Sequence, residues 1–327
     1  MANSIKVIQY GLGPIGSAVA RLVMERGDLQ LVGGVDVDPD KVGKDVGEVI
    51  GQEQSLGFAT DKTLGETLRR TNADIVLHTT NSYFDQFRSQ IDEILESGLD
   101  IVSTSEELSF PWLDNKEIAD QIDALAKKVG KTVLGTGVNP GFLMDSLPIN
   151  LSAICQQVDH IEVVRVINAS ERRGPFQKKI GSGMTVDAFK AKMDEGRMGH
   201  VGLPESVAMI FDTFGKKLDR YESGVDPVVA EVFTKTDFFE VQPGIVKGLD
   251  QVARGFTEDK EFVRLQFIAA LDMGDDGDTI KISGKPELEV KLKGTNGDIA
   301  TVAITVNAIK RVLEAAPGLV TMRDLPI

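Results

Sequence analysis

Three glycines spaced as Gly11-x-Gly13-x-x-Gly16, with a carboxylate at Asp36, are the first residues whose types and spacing point to chemistry. Gly11 permits a tight turn, Gly13 lets a phosphate approach the backbone, and Gly16 lets a following helix lie close to a sheet. With Leu12, Pro14 and Ile15 they open a helix, and proline is suited to its first turn. Such a helix start offers free N–H groups and positive dipole charge to a pyrophosphate. Asp36 lies about twenty residues further on, where a dinucleotide's ribose hydroxyls are bonded. A carboxylate there repels a 2′-phosphate and favours NAD, while Lys41 and Lys44 keep NADP possible. The second group is Glu106-Glu107. Adjacent carboxylates point apart, so one turns to a cleft and the other to solvent or a helix start. Beside a nicotinamide ring, a cleft carboxylate accepts a proton from an amine or activates water.

A frame of parallel strands must position these groups. Residues 5–10, an amphipathic helix over 17–25 and a strand over Leu29–Val35 make a βαβ unit. A polar turn and a short helix follow Asp36, then a short strand over 57–60 and a short helix over 63–70. Residues 74–79 are nearly continuously apolar, as in a strand buried on both faces. Its exit, Thr79-Thr80-Asn81-Ser82, passes beside the ribose or nicotinamide, and Asn81 or Ser82 can also cap the helix over Phe84–Glu96. The strand Asp100–Ser103 exits through Thr104 into the two glutamates. A helix over 115–128 and a final strand over 131–134 lead to the glycine-rich Gly135-Thr136-Gly137-Val138-Asn139-Pro140-Gly141-Phe142.

From Asp159 the pattern changes to alternating strands at 161–168, 238–243, 248–253, 263–271, 279–283 and 287–293, with helices near 186–193 and 204–214. An amphipathic helix over 301–315 crosses back onto the first half. The predicted fold class is α/β: an N-terminal Rossmann doubly wound parallel sheet and a C-terminal α+β domain of mainly antiparallel sheet. The Rossmann domain takes residues 1–140, joined by 300–327, and the second domain takes 141–299.

A net charge of −14 argues against a nucleic-acid binder, whose affinity comes largely from Lys and Arg. Cys155 is the only cysteine, so no intrachain disulfide forms, which fits a cytoplasmic protein. No signal peptide or membrane-length apolar run is visible. His78, His160 and His200 lie far apart with no metal-ligand spacing, so no metal site is expected. Arg172, Arg173, Lys178 and Lys179 sit in one glycine-containing stretch, suited to clamping a substrate carboxylate or to a solvated loop.

The glycine turn, Asp36 with Val42-Gly43-Lys44-Asp45, the stretch from Ser103 to Trp112 and the stretch from Gly135 to Phe142 resemble one group over nearly the whole chain. That group is the 2,4-diaminopentanoate dehydrogenases and related native amine dehydrogenases, built like dihydrodipicolinate reductase. Gly199-His200-Val201-Gly202 shares the likeness. The resemblance implies a homodimeric NAD(P)-dependent enzyme interconverting an amine with a ketone or aldehyde plus ammonia. It implies a catalytic carboxylate at Glu106, with Glu107 the second candidate. Gly11, Leu12, Gly13, Pro14, Ile15, Gly16, Asp36, Thr79, Thr80, Asn81, Ser103, Thr104 and Asn139 are then the dinucleotide candidates. Phe142, Met144, Arg165, Asn168, Phe176, His200 and Thr301 are the candidates for the substrate pocket. Two alternatives stand beside this reading: an imine reductase of the dihydrodipicolinate kind, whose histidine-and-lysine signature is absent, and a dinucleotide-binding protein without catalysis.

Overall fold

The computed structural model of the chain describes residues 4–196, 198–274 and 276–325. It divides into two compact units, Met1–Phe142 with Asn296–Ile327, and Leu143–Thr295.

The first unit carries a parallel sheet in the order β14-β5-β4-β3-β1-β2. Its strands are β1 (Ile5–Tyr10), β2 (Leu29–Val35), β3 (Ile75–His78), β4 (Asp100–Ser103), β5 (Thr132–Gly135) and β14 (Gly318–Val320). Successive side chains on a strand point to opposite faces, and here both faces are buried. Val7, Ile75, Leu77, Val102 and Leu134 face α1 (Pro14–Glu25) together with α10 (Gly297–Asn307) and α11 (Ile309–Glu314). Ile8, Val76, Ile101 and Val133 face α4 (Phe84–Glu96) and α5 (Lys116–Val129). Between β2 and β3 run two short helices, α2 (Val46–Val49) and α3 (Leu64–Leu68). Each fully buried aliphatic side chain stabilises this sandwich by roughly 1.5–3 kcal/mol. α5 ends at Gly130 in the left-handed region with Lys127 and Lys128 in its last turn, the usual stop signal.

Three expectations need correction here. The strand over 57–60 is reduced to a bridge between Asp45 and Ala59, with a second bridge between Val35 and Asp61. The Asp45 carboxylate explains this: it accepts from the amides of Gly47, Leu56 and Gly57 and from Ser55 Oγ, tying the segment into a loop. The strand after α5 is not the last, because β14 pairs parallel to it. The terminal helix is two helices, meeting at Ala308.

The second unit holds a six-stranded sheet in the order β13-β12-β6-β11-β10-β7. These strands are β6 (Gln157–Asn168), β7 (Arg220–Val229), β10 (Val246–Thr257), β11 (Lys260–Ala270), β12 (Gly277–Lys285) and β13 (Leu288–Lys293). All neighbours are antiparallel except β6 and β11. Helices α6 (Ser146–Leu151), α7 (Gly174–Lys179), α8 (Val186–Asp194) and α9 (Leu203–Thr213) belong to this unit. The predicted strand over 238–243 shrinks to β9 (Glu240–Val241), paired with β8 (Thr234–Lys235). The edge strand β7 was not predicted; its side chains are mostly exposed on both faces, so it lacks the apolar alternation that marks a half-buried strand. Among the described residues, no helix is long and apolar enough to cross a membrane.

Candidate active site

Strand β1 has β2 on one side and β3 on the other, so the chain reverses direction across the sheet at β1. In open α/β sheets, ligands bind outside the carboxyl ends of the strands at such a reversal. The glycine turn sits there. Gly11 has φ +90°, and a Cβ on it would lie 2.4 Å from the Thr79 carbonyl oxygen. A Cβ on Gly16 would fall 1.9 Å from the Gly11 carbonyl oxygen and 2.4 Å from Thr79 Oγ1. Gly13 differs: a Cβ there meets no atom within 4 Å. It caps α1 with no side-chain bond, ahead of Pro14 at the helix start. The first-turn N–H groups of α1 have no intrahelical partner, so the open space beside Gly13 could take an anion.

Below the turn, Gln9 is fully buried on β1. Its Nε2 donates to Thr79 Oγ1 at 2.8 Å and to the Gly11 carbonyl at 3.0 Å, and Thr79 Oγ1 donates to the same carbonyl at 3.0 Å. Thr79 N–H donates to the Tyr10 carbonyl at 2.8 Å. The β3 exit is thereby bolted to the glycine turn. Gln9 was missed in the sequence; a buried polar residue two before the first glycine is its only signal.

This geometry separates two roles by experiment. Gly13→Ala overlaps no protein atom and is expected to change stability by less than about 1 kcal/mol, yet to weaken NADH binding at least about tenfold. Gly16→Ala forces backbone apart and is expected to cost about 3 kcal/mol or more. Denaturant melts and NADH fluorescence titrations read the two effects; equal loss of binding and stability in both variants would refute the assignment.

Asp36 follows β2. Its Oδ2 accepts from Leu12 N–H at 2.8 Å and pairs with Lys41 Nζ at 3.0 Å, while its Oδ1 accepts from Asp38 N–H at 2.9 Å. Burial pushes this carboxyl up, but the amides of Asp38 and Leu12 and the Lys41 ammonium outweigh it and hold the group below the usual carboxylate range. Lys41 also pairs with Asp38 at 3.5 Å.

At the β4 exit the two glutamates part. Glu107 Oε2 accepts from Phe84 N–H at 2.7 Å, at the start of α4, whose own N-cap side chain makes no capping bond. Thus the cap comes from Glu107 and not from Asn81 or Ser82. Burial pushes the Glu107 carboxyl up, opposed by the Phe84 amide. Glu106 opens the short 3₁₀ turn Glu106–Ser109, and its carbonyl accepts from Ser109 Oγ at 2.7 Å. Gly135 of β5 leaves no room for a side chain against this turn, since a Cβ would lie 2.4 Å from the Leu108 carbonyl.

Thr104 is half-buried and donates its N–H to the His78 carbonyl. Thr80 and Asn81 are exposed. Asn139 is buried in the loop after β5, where Gly141, at φ +122°, packs onto Gly137. In the same unit, Val138 N–H donates to Thr301 Oγ1 at 3.4 Å, and Phe142 is the exposed last residue before the second unit.

Within the second unit, strand register sets the candidate Arg165 in a row whose far end holds a second candidate, His200. Asp278 of β12 pairs with Arg165 of β6, which pairs with Phe267 of β11, which pairs with Gln251 of β10. Arg165 is buried, 3.1 Å from Asp278 Oδ1, and its Nη2 donates to the Thr295 carbonyl at 3.3 Å. Burial pushes the guanidinium down and the Asp278 carboxyl up, and their attraction opposes both. Gln251 holds the His200 backbone from both sides, accepting from its N–H at 2.6 Å and donating to its carbonyl at 2.9 Å. The His200 ring stacks on Phe267, centroids 4.9 Å apart. Asn168 ends β6 and accepts from Ser170 N–H, and Met144 is fully buried near the start of this unit. Phe176 lies apart on α7 under the Arg172 guanidinium. No group of three or more His, Cys, Asp or Glu among the described residues forms a metal site.

Residues 142–327 match the family model described as the 2,4-diaminopentanoate dehydrogenase C-terminal domain. A 2,4-diaminopentanoate dehydrogenase from Acetoanaerobium sticklandii is 33% identical over 99% of this chain and 94% of its own length. The chain belongs to the 2,4-diaminopentanoate dehydrogenase family. An amine dehydrogenase from Streptomyces virginiae is 26% identical, over 99% of this chain and 96% of that protein. The solved amine dehydrogenase from Mycobacterium smegmatis superposes with a TM-score of 0.87 at 25% identity, covering 100% of this chain and 97% of that one. Residues 5–133 match the dihydrodipicolinate reductase N-terminal model, so in this 2,4-diaminopentanoate dehydrogenase family member the Rossmann half has a reductase-type relative. A dihydrodipicolinate reductase from Paenisporosarcina shares the fold at a TM-score of 0.54 and 14% identity.

Proposed function

We propose that the chain is an NAD(P)-dependent amine dehydrogenase: a protonated amine, NAD(P)⁺ and water give a ketone or aldehyde, ammonium, NAD(P)H and a proton, reversibly. The observation that carries this reading is the carboxylate turn Glu106–Ser109 at the β4 exit, in a chain whose family kinship spans both halves. A dinucleotide fits the residues present, because the open space at Gly13 and the unfilled donors of α1 suit a pyrophosphate. Gly11, Gly13 and Gly16 with the α1 start would hold the pyrophosphate and Asp36 the ribose; Thr79, Thr80, Asn81, Thr104 and Asn139 would supply the nicotinamide end, with Ser103 fully buried behind them. When bound, the nicotinamide supplies the hydride acceptor or donor for the carbon bearing nitrogen.

The protein's own contribution is proton handling and positioning. Glu106 takes the amine proton on its carboxylate and, in the reverse direction, returns it to nitrogen. The Glu107 bond to Phe84 N–H supports this division, since that carboxylate is committed to α4. We assign substrate recognition and dimerisation to the second unit, with Arg165 and His200 in its polar row the leading recognition candidates. NAD is preferred over NADP on the strength of Asp36, and the working form is a cytoplasmic homodimer taking ammonia as co-substrate.

The test is oxidation of NADH and NADPH with ammonia and a panel of ketones, aldehydes and 2-amino-4-oxopentanoate. Turnover that requires both ammonia and a carbonyl is expected. NADH binding without turnover of any panel member at any pH would reject the enzyme reading in favour of a dinucleotide-binding protein.

A further inference from the structure

His78, the last residue of β3, is fully buried between the rings of Tyr10 and Phe87, and both its ring nitrogens are engaged. Nδ1 lies 2.9 Å from Ser103 Oγ at the end of β4. Nε2 lies 2.7 Å from Gln90 Oε1 of α4 and 2.9 Å from Thr80 Oγ1. Ser105 N–H donates to Ser103 Oγ at 3.1 Å. Gln90 Oε1 can only accept, and it also accepts from Thr80 Oγ1 at 2.7 Å, so the proton of the neutral ring sits on Nε2 and Nδ1 accepts from the Ser103 hydroxyl. Burial pushes the imidazole pKa down to about 4, which keeps the ring neutral and this pattern intact near pH 7.

The chain of bonds from α4 through His78 and Ser103 ends on the amide of Ser105, the residue before Glu106. The His78 carbonyl adds a second tie, accepting from Thr104 N–H at 3.0 Å. Thr79, by contrast, is held to the glycine turn through Gln9 and the Tyr10 carbonyl without help from the His78 ring.

We propose that His78 is a positioning residue that sets the register of the Glu106 turn against the β3 exit, acting through Ser103 and the Ser105 amide. The catalytic half of this statement rests on the amine dehydrogenase reading; the positioning half does not. A misplacement of about 1 Å at a reacting group lowers rate by about 100-fold, so the link bears on kcat more than on dinucleotide binding.

Two substitutions divide the contacts of the ring's two nitrogens. The carboxamide of His78→Asn reaches as far as Nδ1 and keeps the link to Ser103, whereas that of His78→Gln reaches as far as Nε2 and keeps the link to Gln90. His78→Asn is expected to hold kcat within about threefold of the parent, and His78→Gln to lose about 30-fold, with the KM for NADH within about threefold in both. Amide hydrogen exchange over residues 104–108, followed by mass spectrometry, is expected to quicken in His78→Gln and in Ser103→Ala but not in His78→Asn. The Ser103→Ala variant, with the ring itself left intact, serves if either His78 variant fails to fold. Unchanged exchange in both His78→Gln and Ser103→Ala would overturn the positioning role, as would equal kcat for the two His78 variants. If the parent turns over no amine yet exchange divides as stated, the enzyme reading fails and the positioning role stands.

Discussion

Replacing Glu106 by Gln is expected to lower kcat for reductive amination by about 10²–10⁴-fold, the range for loss of a general acid or base, while NADH binding stays within about threefold. The variant keeps the shape of the side chain but loses its charge and its ionisable proton site and carries an NH₂ donor in place of one acceptor oxygen. Glu107→Gln is the control built into the same turn. Its carboxylate faces the start of α4, where a negative charge stabilises the helix by about 0.3–1 kcal/mol, so the substitution is expected to lower stability by about that amount and to reduce kcat by no more than about tenfold. Stopped-flow NADH oxidation and urea melts measure both. If Glu107→Gln loses more activity than Glu106→Gln, the roles are reversed.

The second large effect concerns cofactor choice. Asp36→Ser is expected to shift the NADPH:NADH ratio of kcat/KM by about 100-fold toward NADPH, because a like-charge clash with a 2′-phosphate costs several kcal/mol. Lys41 carries part of this. With Asp36 present its ammonium is paired at 3.0 Å; once Asp36 is removed, the side chain is available to a phosphate apart from its longer pairing with Asp38. Adding Lys41→Ala to Asp36→Ser should therefore reverse most of the gain. The Asp36 carboxyl is held below the usual range, so it stays ionised between pH 8 and pH 5, and a change in the parent's preference over that window follows the 2′-phosphate, whose second pKa is about 6. A parent enzyme that already prefers NADPH, or a double variant that keeps the full shift, would sink this account.

The Rossmann half was legible because its signals are local. The glycine turn and the buried run of β3 each lie within a few residues of the element they specify. What escaped depended on partners distant in sequence. β14 is three residues long and becomes a strand only by lying beside β5, almost two hundred positions earlier. His78 read as part of an apolar run, and only pairing of β3 with β4 brings it to Ser103. Likewise nothing local separated Glu106 from Glu107; the cap on α4 did, through a residue twenty-three positions away. Arg165 and His200 were picked out singly; strand register sets Arg165 beside Phe267 and Gln251, and those two residues hold His200 by stacking and by bonds to its backbone.

The β14 strand and the helices before it bear on how the chain is made. Emerging from a ribosome, residues up to Phe142 lack both an edge strand and the Val302, Ile304, Val306, Ile309 and Val312 side chains that cover one face of their sheet. The dinucleotide-binding unit is thus completed only after synthesis of everything inserted within it. A gene fragment ending at Phe142 would yield an incomplete sheet with an uncovered apolar face, prone to aggregate. A workable excision would instead join Phe142 to Asn296 through a short linker, keeping the last segment of the chain with the first.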